Sequence, residues 1–284
     1  LEPSPDGKTL LIVTNEESMF ADYRGAFIRK LKIGESGGTI RFTPDGSSLL
    51  KLSRDTLTRI DLTSDEWKII KERIEGRGYA LSRDGKTVAV PMKKRVELLG
   101  LDGTAKGALE SNLKEWSGTN VLAFHPNGSA VYSGDETGGY ASAPCLSIWD
   151  FANKSVAGVS GLNNKVLAAQ FRSSDGRLVV IGSESGISTF SADLQFEGGA
   201  SLQSLDRKLA LTAGFDPTGE FFAVEEFGKL HIYDSRSLAL LRSPSTGSSI
   251  SGMGGLSLGP RGESFLLNAA TEPQYWQLEI KADP

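Results

Sequence analysis

Residues able to carry chemistry are few in this chain. Two histidines, His125 and His231, fall in a hairpin turn and in a strand, and both read as structural or surface groups. No His-x-x-x-His, Cys-x-x-Cys or Asp-x-Asp-x-Asp-Gly spacing occurs, so no metal site is expected. Gly182-Ser183-Glu184-Ser185-Gly186 lacks the central serine of a nucleophile elbow and reads as a loop between strands. Cys145 opens a strand and is expected to pack as a small apolar residue. Gly252-Met253-Gly254-Gly255 leads into a strand with no following lysine, unlike a phosphate loop. No catalytic residue, metal ligand or cofactor is assigned.

Residues suited to binding are easier to find. Lys93-Lys94-Arg95 concentrates positive charge, and Trp116 puts a large aromatic in the connecting segment 112–119. The long segment 135–144 adds Glu136 and Tyr140. Aromatic anchors rimmed by charge carry a disproportionate share of binding energy at protein interfaces. Whether these six residues meet depends on the elements that hold them.

Those elements are set by a repeat. Ser4-Pro5-Asp6-Gly7 recurs as Thr43-Pro44-Asp45-Gly46, Ser82-Arg83-Asp84-Gly85, His125-Pro126-Asn127-Gly128, Ser173-Ser174-Asp175-Gly176, Asp216-Pro217-Thr218-Gly219 and Gly259-Pro260-Arg261-Gly262. The glycines are spaced by 39, 39, 43, 48, 43 and 43 residues, which fits the period of about 40–45 residues of a four-stranded propeller blade. Proline presets φ at the second turn position, Asp or Asn bonds nearby backbone, and glycine accepts the left-handed conformation that closes a hairpin. Short β-branched or aromatic runs follow, such as Leu10 to Thr14, Thr87 to Val90 and Leu178 to Gly182. Trp67 to Ile74 is the nearest thing to a helix, yet it sits where an outer strand is due and is read as one.

The expected fold is all-β: a seven-bladed propeller of four-stranded antiparallel blades, its last blade incomplete because only three strands are recognisable before Pro284. Residues 1–284 are read as a single domain of a longer polypeptide. With 284 residues, 33 Gly, 39% hydrophobic and 23% charged composition, the chain can bury a sizeable core. A net charge of −4 argues against a general nucleic-acid binder, and no apolar run is long enough to enter a membrane as a helix. One cysteine excludes an intramolecular disulfide without fixing a compartment. Leu1-Glu2-Pro3 lacks signal-peptide character, and the reading leans to the cytoplasm.

The period, the turn and the exit dipeptide Trp149-Asp150, with Tyr233-Asp234 as a weaker counterpart, resemble WD40 repeats. The stretch Ser4 to Asn15 resembles the related bacterial YVTN-type repeat. The resemblance covers essentially the whole chain and implies a divergent member, since Trp-Asp occurs once and no Gly-His dipeptide precedes an inner strand. It implies a non-catalytic interaction module whose top face, made by the loops from second to third strand and from outer to next inner strand, binds a protein or peptide. On that face Trp116, Tyr140, Lys93, Lys94, Arg95 and Glu136 are the expected contacts. A lactonase-like enzyme or small-molecule binder, with its site at the axial channel, is the second reading.

Overall fold

The computed structural model describes residues 2–13, 18–22, 26–32, 38–76, 78–111, 121–134, 146–159, 166–182, 186–191, 195–201, 212–216, 218–226, 229–243, 256–258, 264–268 and 273–277. Among them every regular element is a β-strand. Six four-stranded sheets span 2–31, 39–71, 80–110, 121–159, 166–201 and 212–242, and a three-stranded sheet spans 256–277. Within each sheet, strands that follow one another in the chain pair antiparallel. The inner strand Val121–Phe124 lies against Ala80–Leu81 on one side and Val166–Phe171 on the other, and Thr212–Phe215 lies between Val166–Phe171 and Leu256–Leu258. Sheets wrapped in this way about an axis form a β-propeller. Trp67–Lys71 is an outer strand, as its position in the repeat predicts.

The blade count needs correction. Seven four-stranded blades were expected with the last incomplete; the described residues form six four-stranded blades, and the sheet at 256–277 has three strands. Its last described strand, Pro273–Gln277, pairs on one side only, with Ser264–Asn268.

Alternation along each strand explains why the blades stack. Val88 and Val90 pack with Leu50, Leu52 and Leu57 of the second blade, whereas the intervening Ala89 packs with Val131 and Trp149 of the fourth. Leu178 and Val180 likewise join the fourth blade's Tyr132, while Val179 and Ile181 join Phe222 and Val224 of the sixth. Successive side chains point to opposite faces, so a strand buried on both faces reads as an unbroken apolar run. Trp149, from the Trp-Asp exit, is 0% exposed in the junction between the third and fourth blades.

The repeated turn works through its side chains. In the first three copies a hydroxyl at the first position donates to the carboxylate two residues on: Ser4 to Asp6 at 2.6 Å, Thr43 to Asp45 at 2.6 Å and Ser82 to Asp84 at 2.7 Å. That carboxylate accepts the backbone N–H of Lys8, Ser47 or Lys86. The sixth copy inverts the roles, because Asp216 at the first position accepts from the Thr218 hydroxyl and from the Phe221 N–H. Six of the turn glycines have φ between 68° and 75°, the left-handed region in which a Cβ is costly.

Trp149→Ala should lower unfolding stability by about 3–5 kcal/mol in a urea titration, the typical cost of truncating a fully buried aromatic. A Cβ added at Gly128 would meet no atom within 4 Å, whereas one added at Gly219 would collide with the Phe171 carbonyl oxygen. Gly219→Ala should therefore destabilise clearly more than Gly128→Ala, whose cost of about 1 kcal/mol is conformational strain alone. Equal unfolding midpoints for the two glycine variants would contradict the steric account.

Candidate functional site

The turn Lys93-Lys94 joins Thr87–Met92 to Arg95–Gly100, with Met92 opposite Arg95, and both lysines are exposed. It lies at the end of the third blade opposite the Asp84-Gly85 turn, on the face expected for binding. Arg95 is also exposed but committed: its guanidinium is 2.5 Å from a carboxylate oxygen of Glu97, whose other oxygen lies 2.7 Å from Lys71 Nζ. Glu97 is 8% exposed and Lys71 belongs to the second blade's outer strand, so this carboxylate bridges two blades. Burial raises the Glu97 pKa, but the hydrogen bond and charge of Lys71 and the charge of Arg95 outweigh it, leaving the carboxyl below its ordinary range.

The connection from the second to the third blade runs across this same end. Ile74 N–H donates to the Asp55 carbonyl at 2.8 Å, Glu75 N–H reaches the Pro91 carbonyl at 3.4 Å, and the buried Tyr79 hydroxyl donates to the Leu50 carbonyl at 2.7 Å. Arg73 in this strap is exposed with φ 60°. On leaving the third blade's outer strand, Ser111 N–H donates to the Lys94 carbonyl at 2.6 Å. Ser111 is the last described residue before the segment 112–119. Trp116, Glu136 and Tyr140, as well as Cys145 and residues 252–255, lie outside the described residues.

The histidines take structural surroundings. His125 Nδ1 is 2.5 Å from Asn127 Oδ1 within its turn, and its ring meets Phe171 edge-on at 5.2 Å. His231 is buried, with Nδ1 3.1 Å from the Ser243 hydroxyl. The described inner strands carry two charged residues, Glu2 and Arg41; burial pushes the Glu2 carboxyl up to about 7 while the Arg41 charge opposes it. Among the described residues no group of three or more His, Cys, Asp and Glu is arranged to hold a metal ion, and no helix is long and apolar enough to cross a membrane.

Sequence reasoning missed Lys71, Arg73 and Glu97. Glu97 left one visible signal, a lone charge inside the apolar run Val96 to Leu99, but its partner in another blade was not legible.

The Glu97 linkage has a definite sign. A carboxyl whose folded pKa is depressed contributes stability that is present above the unfolded value, here the ordinary 4.5, and is lost as pH falls through the folded value. Parent protein should lose stability on acidification below pH 4.5, and Glu97→Gln should be less stable at neutral pH with a flatter acid limb in unfolding midpoints. Parallel acid limbs would contradict the bridge.

No protein-family model and no curated protein matches the chain. Among solved structures it is similar to Kuenenia stuttgartiensis hydrazine synthase, with a TM-score of 0.73 and 16% identity over 99% of this chain and 95% of that one. At that identity the likeness speaks for architecture alone, and the chain is a β-propeller by its own strand order and by this similarity.

Proposed function

We propose that the chain is a non-catalytic interaction module, a divergent WD40/YVTN-type propeller forming one domain over residues 1–284, that binds a protein or peptide through its top face. In this reading the sheet at 256–277 serves as the seventh blade and closes the ring. Its inner strand Leu256–Leu258 supports this by lying against both Thr212–Phe215 and Glu2–Pro3. The contacts are Trp116, Tyr140 and Glu136 with Lys93 and Lys94, while Arg95 steadies the surface through Glu97.

The observation that carries the reading is the hydrogen bond from Ser111 N–H to the Lys94 carbonyl. It holds Ser111, the last described residue before the segment 112–119 that carries Trp116, on the turn that exposes Lys93 and Lys94. Cation–π and desolvated aromatic contacts favour an acidic or aromatic-bearing peptide there. The net charge of −4 disfavours a continuous polyanion such as nucleic acid.

Affinity pull-down followed by titration of the captured partner tests this. Trp116→Ala should weaken binding by about 2 kcal/mol, roughly thirtyfold. Lys93→Glu should mainly slow association and reduce its salt sensitivity. Both variants should keep the parent unfolding midpoint. Partner binding unchanged in both would move the site off this face.

A further inference from the structure

The outer strand of every blade leaves one backbone edge without a partner in its own sheet, and such edges pair readily with another strand unless they are blunted. Five of the six four-stranded blades blunt theirs in two ways. Register between third and outer strand breaks at Phe20/Ala21, Leu57/Thr58, Leu98/Leu99, Thr189/Phe190 and Ile232/Tyr233. The same outer strands carry charge: Arg29 and Lys30, Lys68 and Lys71, Lys106 and Glu110, Glu197, and Arg242. Bulges twist an edge away from a would-be neighbour, and charges penalise its approach.

The fourth blade has neither device. Ser155–Val159 pairs with Leu146–Asp150 residue for residue, without a shift, and its sequence is Ser-Val-Ala-Gly-Val. Ser155 and Ala157 are exposed, and Gly158 offers a site where another backbone can come close. Among the described residues no strand pairs with its outer edge.

We propose that Ser155–Val159 is a self-association edge. A second copy of the chain adds its own Ser155–Val159 antiparallel about a twofold axis at Ala157, which joins two fourth blades into one continuous sheet. The strand suits this occupant because it is self-complementary. Ser155 falls opposite Val159 and Val156 opposite Gly158, Ala157 meets its own counterpart, and no like charges face each other. Arg29, at the centre of the first blade's outer strand, would meet itself in the same arrangement, and like charges directly opposite are destabilising. One strand pair buries less than a standard interface, so the dimer is weak and concentration-dependent. This edge is on the rim and is independent of the top-face reading.

Sedimentation velocity on the whole chain across a concentration series tests the proposal. The parent should pass reversibly from monomer to dimer, and Ala157→Lys should raise the dissociation constant by about tenfold or more. Disulfide trapping keeps the question open to refutation if the lysine variant fails to fold. In a Cys145→Ser background, Ala157→Cys should form a covalent dimer under mild oxidation much faster than Ala108→Cys, which is exposed on a bulged outer strand. A parent that stays monomeric throughout, an Ala157→Lys protein that dimerises like the parent, or equal trapping at 157 and 108 would overturn the proposal.

Discussion

Everything in this molecule depends on each sheet being buried on both faces by its neighbours. A four-stranded blade alone would expose both sides of its second strand, so no blade is stable apart from the ring. Residues 178–181 show the constraint most clearly: Leu178 and Val180 face the fourth blade, Val179 and Ile181 face the sixth, and all four are fully buried. A register slip of one residue would exchange the two sets and spoil both junctions. With the faces consumed by packing, the surfaces left for recognition are the two ends and the outer edges.

Polar groups then secure what the apolar faces bring together. Arg29 of the first blade donates to Asp65 and to the Leu62 carbonyl of the second. The Lys71–Glu97 pair ties the second blade to the third. Arg172, 1% exposed, bonds Asp175 in its own turn and the Ser235 carbonyl of the sixth blade, and the Ser235 hydroxyl donates to the Gly219 carbonyl at 2.6 Å. Buried charges are tolerable when paired and hydrogen-bonded, and removal of one partner costs more than the pair contributes. These links set blade against blade at the ends, where the loops begin.

What the sequence disclosed was local, and what it withheld was long-range. The Asp-Gly turn is a four-residue device, so its copies, their spacing and the flanking strands could be read from residue types alone. Copies differ in detail: the sixth inverts its side-chain roles, and in the fifth Gly176 N–H closes on the Arg172 carbonyl rather than on the residue three before it, while the Arg172 side chain bonds Asp175. The exit Trp149 was recognisable, but its seat against the third blade was not. Lys93, Lys94 and Arg95 read as one basic triplet, yet period-two alternation turns Arg95 toward Glu97 and leaves the two lysines at the tip. Of the binding residues expected, Lys93 and Lys94 are exposed at the tip of their hairpin, while Trp116, Glu136 and Tyr140 lie outside the described residues. Seven blades were expected and six four-stranded blades are found among the described residues, since turn copies count hairpins and not the strands that follow them.

The central functional claim is that partners meet the end of the third blade bearing Lys93-Lys94, not the end bearing Asp84-Gly85. The strand Thr87–Met92 joins those two ends, so a photo-crosslinking side chain introduced at position 93 or at position 84 compares them within one blade. The account predicts that the captured partner is crosslinked from position 93 and not from position 84. Crosslinking from position 84 alone, or equally from both, would contradict it.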